Sequence, residues 1–253
     1  NPIEKSGLIG WFEASDYVVG SATWNNKVVG QLNADTTTDV SKTTSTNSNG
    51  TEETFEYLSG GESSQVMLNA TPFNGSTNKE YTFIHICRYT SSTNTTHGRI
   101  WQGVGEGHTS GFWYRHSNRF QQGSGGGILG TGMNNVTNWL LTIDQNLSLG
   151  GKVKTFYYED SDSEYVNNTI TTGGNSLANL TNLSINNGYS TGENETSEWG
   201  CALALMYDRH LTDTEIHDVK THLVNTYFKS NLYTSNPIEK SGLIGWFEAS
   251  DYV

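Results

Sequence analysis

Acidic side chains are concentrated at residues 159–164, EDSDSE, which makes this stretch the first candidate for a site with carboxylate chemistry. Two carboxylates on either side of a glycosidic bond can hydrolyse it, and carboxylate oxygens also bind Ca²⁺. The stretch follows a strand-like segment and leads into a turn, which is typical of a solvated acidic loop. We therefore predict no catalytic pair here, and we retain Asp160 and Asp162 as candidate calcium ligands.

Two histidines near the C-terminal end raise the question of a metal site. His217 and His222 are five positions apart, whereas two ligands on one helical face are four apart. The glycine-rich stretch at 103–108, GVGEGH, lacks the lysine of a phosphate-binding loop and is typical of a turn. We therefore predict that the protein is not an enzyme and has no cofactor, with calcium as the one candidate ion.

Cys87 and Cys201 are the two cysteines of the chain, and each lies in a strand-like segment. Two alternatives are open. Either they are buried thiols that pack as small apolar side chains, or they form a disulfide, which requires an oxidising compartment. The sequence does not decide between them.

Composition narrows the class of protein and of partner. The formal net charge is −12, which disfavours nucleic acid and anionic membranes as partners. No apolar run reaches the roughly 18 residues of a membrane-spanning helix. Hydrophobic residues make up 34% of the chain, but 7 Trp and 13 Tyr provide the large side chains of a packed core. Because the chain shows no initiator Met or signal peptide, we expect a mature or excised piece.

The first eighteen residues, NPIEKSGLIGWFEASDYV, occur again unchanged at residues 236–253. The two copies start 235 residues apart, a distance that suits a complete domain and far exceeds the period of a solenoid. We predict a domain at 1–227, a connector at 228–235 and the first strand of a following unit at 236–253. Residues 1–18 are called the first copy below, and residues 236–253 the second copy.

Short segments rich in β-branched and aromatic residues recur along the chain between Gly- and Asn-rich turns. The clearest is YTFIHICRY at 81–89, which is apolar on both faces and predicts a strand covered on both sides. GLIGWFEAS at 7–15 and WGCALALMYDR at 199–209 predict further strands, whereas the Thr-, Ser- and Asn-rich residues 36–54 predict a solvated loop. Many short strands at this spacing are typical of an antiparallel sandwich.

One segment near the C-terminal end has helical periodicity instead. Thr212 and Glu215 have the spacing of a capping box, in which each side chain satisfies a backbone N–H at the start of a helix. Apolar side chains then recur at helical spacing, at Ile216, Val219, Leu223 and Tyr227. The segment 212–227 therefore predicts an amphipathic helix that packs on the sandwich.

Together these segments resemble the concanavalin A-like lectin/glucanase superfamily, in its laminin-G-like branch. GLIGWFEASDY followed by TWNNKVVGQLNA is similar to the opening strand and Trp-containing turn of that branch, and EYTFIHICRY is similar to its central strand. WGCALALMYDRHLTDTEIHDVKTHLVNTY resembles its closing strand, Tyr-Asp-Arg turn and C-terminal helix. The resemblance implies an all-β, two-sheet antiparallel jelly-roll sandwich with one C-terminal amphipathic helix, in an extracellular or cell-surface protein.

The same superfamily includes glycoside hydrolases, whose paired carboxylates come from one strand as Glu-x-Asp-x-Glu. When Glu159 is taken as the first carboxylate, Ser161 stands where the Asp should be. The resemblance therefore does not extend to the hydrolase motif, and a glycoside hydrolase is the least favoured interpretation.

The second copy indicates a structural function. If it stayed unpaired, it would present an aggregation-prone strand edge with the apolar residues Leu243, Ile244, Trp246 and Phe247. We expect it to add as a strand to a neighbouring unit, by covalent continuation of a tandem chain or by strand addition between chains. Contacts that repeat head to tail without closing produce a filament. The predicted function is a subunit of an extracellular filament or surface array whose partners are identical units.

A secreted carbohydrate-binding lectin or adhesin module is the alternative function. Aromatic side chains at Trp101, Trp113 and Tyr114 would stack on sugars if they are exposed, and would belong to the core if they are not. Asn-x-Ser/Thr acceptor sites favour a secreted glycoprotein. The candidates are Asn49, Asn74, Asn94, Asn135, Asn146, Asn167, Asn179, Asn182 and Asn194. An adhesive fibre would combine both functions.

Overall fold

The computed structural model describes residues 1–46, 51, 53–71, 73, 80–92, 98–105, 107–113, 116–121, 137–147, 150–158, 164–166, 170–171, 180–187 and 195–228. These residues form sixteen strands and one α-helix, α1, at Asp213–Tyr227. The strands are β1 Leu8–Glu13, β2 Thr23–Trp24, β3 Ala34–Thr36, β4 Ser41–Thr46, β5 Thr54–Gly60, β6 Val66–Leu68, β7 Tyr81–Tyr89, β8 Trp101–Val104, β9 Thr109–Trp113, β10 His116–Gln121, β11 Leu140–Leu147, β12 Gly150–Tyr158, β13 Glu164–Val166, β14 Ile170–Thr171, β15 Asn182–Ile185 and β16 Trp199–Tyr207.

The strands form two antiparallel sheets. The nine-stranded sheet has the order β13-β12-β11-β7-β16-β5-β4, with β1 paired to β16 and β14 paired to β12. The seven-stranded sheet has the order β10-β9-β8-β15-β6-β3-β2. Side chains from both sheets meet in one apolar cluster, called the inner cluster below. The prediction of an all-β, two-sheet sandwich is confirmed.

β7 and β16 lie side by side in the nine-stranded sheet because each is apolar on both faces. In β7, Phe83 and Tyr89 belong to the inner cluster, whereas Ile84 and Ile86 belong to a second apolar cluster on the opposite face. β16 is buried along its whole length. A strand without a polar face is stable only when both faces are covered. The second cluster, called the outer cluster below, must therefore be covered as well.

The helix α1 covers this outer face. Thr212 accepts a hydrogen bond from the Glu215 N–H, and the Glu215 side chain accepts one from the Thr212 N–H. The helix contributes Ile216, Val219, Leu223 and Tyr227 to the outer cluster. The predicted capping box and apolar stripe are confirmed. Within the described ranges, no helix has the length and apolar character needed to cross a membrane.

Residues 36–54 do not form the single solvated loop that their composition predicts. They contain β4, which pairs along its whole length with β5. β4 ends the nine-stranded sheet on that side, and most of its side chains are exposed. Because an exposed edge strand needs no apolar side chains, and threonine is β-branched, a run of Thr and Ser can form one. The low apolar content of these residues therefore led to the wrong prediction of a loop where β4 is a strand.

Candidate functional site: the strand slot

The first copy occupies part of one edge of β16. β7 pairs with β16 along the other edge. On the edge that the first copy uses, β5 pairs with residues 199–201 and β1 pairs with residues 203–207. We call the edge of β16 at 203–207, with the core positions that receive the side chains of β1, the strand slot. Without β1, this part of β16 would present an open edge.

β1 fills the strand slot with apolar side chains on both faces of the sheet. Phe12 is fully buried in the inner cluster, with its ring centroid 5.6 Å from that of Trp24. Trp11 packs against the outer cluster, and its indole N–H donates to Glu13 Oε1 at 2.8 Å. Burying a large apolar side chain contributes roughly 1.5–3 kcal/mol. Phe12 is therefore the principal apolar anchor of the first copy.

The other edge of β1 is closed by a turn. Asn26 Oδ1 accepts from the Trp11 N–H at 2.9 Å, and Asn26 Nδ2 donates to the Ile9 carbonyl at 3.0 Å. The Lys27 N–H donates to the Trp11 carbonyl at 2.9 Å, and Lys27 Nζ lies 2.6 Å from Glu13 Oε2. Because these backbone groups are satisfied, a further strand cannot add at this edge.

The residues before β1 are anchored to the end of β16. The Tyr207 hydroxyl donates to the Ile3 carbonyl at 2.8 Å, and the Ile3 side chain is buried in the outer cluster. The Asp208 N–H donates to the Gly7 carbonyl at 2.8 Å. Gly7 has a φ of +80°, and a Cβ there would lie 2.6 Å from Asp208 Oδ1. This position therefore requires glycine.

Arg209 connects the first copy to α1. Its Nε donates to the Ser6 carbonyl at 2.8 Å, and its Nη1 and Nη2 donate to the two carboxylate oxygens of Glu215 at 3.0 and 2.6 Å. The hydrogen bonds from Arg209 lower the pKa of Glu215 from 4.5 to about 2. Lys5 adds an ion pair to α1, with Nζ 2.8 Å from Asp218 Oδ2. The first copy is thus held by the helix as well as by β16.

The residues after β1 are also held in place by hydrogen bonds and by burial. Ala14–Asp16 form a short 3-10 turn, and Trp24 Nε1 donates to the Glu13 carbonyl at 2.7 Å. Tyr17 is 1% exposed, and its hydroxyl donates to the Ser21 carbonyl at 3.0 Å. Buried anchors therefore extend from the third residue of the first copy to the seventeenth. The chemistry of this site is the recognition of a peptide strand.

Several residues predicted from the sequence lie outside the described part of the chain. These include the second copy, with Leu243, Ile244, Trp246 and Phe247, and the candidate calcium ligands Asp160 and Asp162. Among the described residues, no group of three or more His, Cys, Asp or Glu side chains is placed to hold a metal ion.

Cys87 and Cys201 are direct partners in the register of the two central strands. Both are fully buried, and both are free thiols in the structure. Burial, together with the neighbouring Cys201, raises the pKa of the Cys87 thiol well above its ordinary value. A protonated, buried thiol packs as a small apolar side chain and is a poor nucleophile.

Trp101 belongs to the core and does not face solvent. Its side chain is fully buried in the inner cluster, and its indole N–H donates to Cys87 Sγ at 3.2 Å. Of the two alternatives open for Trp101, the structure shows the core position and not the sugar-stacking one, because β8 directs this side chain between the sheets. The side chain of Trp113 and the whole of Tyr114 lie outside the described residues.

Two glycosylation candidates fall within the described residues. Asn146 is buried in β11, a position that does not present its amide for glycosylation, so this candidate is wrong. Asn182 is half-buried in β15. The other candidates lie outside the described residues: Asn49, Asn74, Asn94, Asn135, Asn167, Asn179 and Asn194.

A buried polar cluster lies between the sheets. His85 Nε2 is 3.1 Å from Ser110 Oγ, and His108 Nε2 is 3.3 Å from Asp144 Oδ2. Burial lowers the pKa of His85 to about 3, so this imidazole is neutral. Among the residues that the structure describes, His85 Nδ1 has no hydrogen-bond partner, so none of them is placed as the carboxylate that orients the histidine of a serine hydrolase. No sequence spacing predicts this cluster, because strand register alone brings its members together.

The stretch GYSTG at 188–192 matches the Gly-x-Ser-x-Gly pattern of a serine nucleophile. Such a nucleophile needs a strand before it and a helix after it. The described elements on either side of the motif are the strands β15 and β16. The motif itself lies outside the described residues.

A polar cleft lies on the outer face of the nine-stranded sheet. This cleft of about 410 Å³, called the Arg88 cleft below, is lined by residues that include Ser41, Ser59, Arg88, Thr90 and Glu198. The Arg88 guanidinium lies 5.3 and 5.0 Å from the ring centroids of Tyr57 and Trp139. The cleft therefore combines hydroxyl groups with a carboxylate and a guanidinium that is fixed by two rings.

Neither a protein-family model nor a curated protein matches the chain. Solved structures match it in fold. Trypanosoma rangeli sialidase in complex with the inhibitor DANA aligns with a TM-score of 0.56 and 14% identity, over 86% of this chain and 33% of the sialidase chain. The binding domain of Paraclostridial Mosquitocidal Protein 1 aligns with a TM-score of 0.52 and 12% identity, over 87% of this chain and 53% of that chain.

The chain thus spans about a third of the sialidase and about half of the binding domain of the mosquitocidal protein. At these identities the likeness shows the fold alone, a β-sandwich of the jelly-roll kind. Membership of the laminin-G-like branch remains a prediction from the sequence.

Proposed function

We propose that this chain is a structural, non-enzymatic subunit of an extracellular filament or surface array, in which units join head to tail through the repeated segment. In this arrangement the second copy of one unit fills the strand slot of the next unit. The way in which the first copy is bound supports the proposal. It completes the edge of β16 and places Phe12 in the inner cluster, so it is part of the fold.

Every contact that the first copy makes is available to the second copy, because their sequences are identical. Phe247 corresponds to Phe12, and Gly242 corresponds to Gly7. Side-chain chemistry therefore does not distinguish the two copies, and the chain connection decides which of them occupies a given slot. Residues 1–253 contain two copies, and the described residues form one strand slot.

The copy that remains needs a slot in another unit. Left unpaired, it would expose apolar side chains beside open backbone donors and acceptors. Strand addition buries such a segment and satisfies its backbone. Covalent continuation of a tandem chain achieves this with the slot of the next unit. Strand addition between chains achieves it for the second copy when that copy displaces the first copy of the neighbouring chain from its slot. Both are heterologous contacts, which produce a linear filament when they do not close into a ring.

The state of association tests this proposal. Chain 1–253 is refolded from denaturant at high concentration, so that strands can exchange, and is then examined by analytical ultracentrifugation. We expect concentration-dependent oligomers for the wild type. We expect monomers for Phe247→Asp, because the slot would have to bury an unpaired carboxylate. Val29→Asp is the matched control, since Val29 is 97% exposed and its loss should leave the oligomers unchanged.

Two results would overturn the proposal. One is a wild-type chain that stays monomeric at all concentrations, and the other is a Phe247→Asp chain that assembles as the wild type does. Electron microscopy of the oligomers adds a check on geometry. Unbranched chains of units support head-to-tail joining, whereas closed rings or amorphous particles contradict it.

Carbohydrate binding is a second candidate function, and the Arg88 cleft is the observation in its favour. Its hydroxyl, carboxylate and guanidinium groups are of the kinds that bind sugar hydroxyls, and two proteins of the same fold are, by name, a sialidase and the binding domain of a mosquitocidal protein. A glycan array probed with the full chain tests this function. We expect binding to specific glycans that Glu198→Gln weakens, and the absence of binding to any glycan would overturn it.

A further inference from the structure

A cleft of about 620 Å³ opens where the first copy begins, between its first residues and the side of α1. Its walls include Asn1 and Lys5 from the first copy, and His217, Thr221, His222 and Asn225 from α1. The cleft borders the first copy, because its wall residue Lys5 is one of the residues that tie the first copy to α1. We call it the helix cleft.

Chain continuity determines what enters the helix cleft when a second copy occupies the strand slot. Asn236 then stands where Asn1 stands, and its amide nitrogen is bonded to Ser235. The C-terminal end of the connector must therefore lie at the wall of the cleft. Phe228, the first residue of the predicted connector 228–235, is buried at the end of α1, so the name connector is kept below for residues 229–235, KSNLYTS. We propose that the helix cleft is the docking surface for residues 229–235 of the neighbouring unit. The inference rests on the proposed function, whether the units are joined covalently or by strand addition.

The connector is long enough to follow the helix cleft. Seven extended residues span at most roughly 25 Å. The helix rises by only about 12 Å between His217 and Asn225. The connector can therefore run along the whole of this side of α1 before it reaches Asn236.

The wall formed by α1 offers hydrogen-bonding groups to a peptide. Thr221 Oγ1 is buried and has no hydrogen-bond partner among the described residues, and the side chains of His217 and Asn225 are exposed. Asp218 is already paired with Lys5. The connector supplies backbone groups together with Ser, Asn and Thr side chains, which are able to hydrogen-bond to the Thr221 hydroxyl.

Filling the helix cleft tests the inference. Thr221→Trp places an indole within the cleft, whereas Thr214→Trp places the same side chain at an exposed position of α1 outside it. In the refolded full chain, we expect Thr221→Trp to raise the concentration of half-maximal oligomer formation about tenfold, and Thr214→Trp to change it less than about twofold. Thermal melts show whether both variants are folded.

If Thr221→Trp does not fold, Asn225→Trp replaces it, because Asn225 is exposed and lines the same cleft. Equal assembly of the cleft variant and Thr214→Trp overturns the inference and leaves the proposed function intact, provided that Phe247→Asp stays monomeric. If Phe247→Asp assembles as well as the wild type, the proposed function itself fails.

Discussion

The first and second copies are chemically identical, yet they stand at different places in the chain. The first copy is a strand of the fold, with Phe12 in the core and the Ser6 carbonyl bonded to Arg209. The second copy follows α1 in the sequence, and the described residues form one sandwich, whose strand slot the first copy occupies. The same eighteen residues thus act as an internal strand in one place and, in our proposal, as a joint in the other. What the segment does depends on which slot it can reach.

Because the two copies are identical in sequence, each substitution can be made once in the first copy and once in the second copy. A change in the first copy should act on the stability of the unit, whereas the matching change in the second copy should act on association. Measurements of unfolding are made at low protein concentration, where the second copy of another chain does not compete for the strand slot.

Gly7→Ala and Gly242→Ala form the first such pair. We expect Gly7→Ala to reduce the free energy of unfolding by about 2 kcal/mol, since alanine is strained at a positive φ. The structure places a Cβ at this position 2.6 Å from Asp208 Oδ1. Gly242→Ala should leave the unfolding of the unit unchanged and weaken the oligomers. Urea denaturation and analytical ultracentrifugation measure these effects, and equal effects on unfolding would contradict the distinction between the copies.

The pair of Arg209 and Glu215 predicts a dependence of stability on pH. The folded pKa of Glu215 is about 2, below its ordinary value of 4.5. The pair therefore contributes stability that is fully present above pH 4.5 and is lost as the pH falls towards 2. We expect Glu215→Gln to be less stable at neutral pH and to lose less stability over this acid range. Urea denaturation at a series of pH values measures both, and parallel profiles for variant and wild type would contradict the prediction.

Lys5→Met and Lys240→Met should produce the smallest changes. Lys5 pairs with Asp218, whose side chain is 44% exposed, and such ion pairs contribute at most about 1 kcal/mol. We expect Lys5→Met to lower the free energy of unfolding by less than that amount, and the difference to disappear at high salt. Lys240→Met should leave unfolding unchanged at any salt concentration, and urea denaturation with and without added salt checks both statements.

Strong periodicity made the central elements predictable from the sequence. The strand expected from YTFIHICRY has the bounds of β7, and the helix expected from the capping box begins one residue after its cap. Weak or absent periodicity explains the failures. β4 is polar because it is an exposed edge, and the polar cluster around His85 and Asp144 exists only through the register of distant strands.

The repeat identified the segment at the candidate site, but it did not identify the slot. The partners of β1 lie far away in the sequence, at β16, Asn26 and Arg209, and no local pattern connects them. A single sequence also does not show which side of β8 faces the core. For this reason the sequence leaves both a sugar-stacking position and a core position open for Trp101, and the structure shows the core position.

Head-to-tail joining requires that a second copy can replace a first copy, and a comparison of Phe12→Asp with the double variant Phe12→Asp/Phe247→Asp measures this. We expect refolded Phe12→Asp to be folded by near-ultraviolet circular dichroism and oligomeric by ultracentrifugation, because Phe247 of a neighbouring chain fills its slot. The double variant should be unfolded, since neither copy then supplies the buried ring. A Phe12→Asp chain that is as unfolded as the double variant, or that folds as a monomer, would show that the second copy does not join neighbouring units.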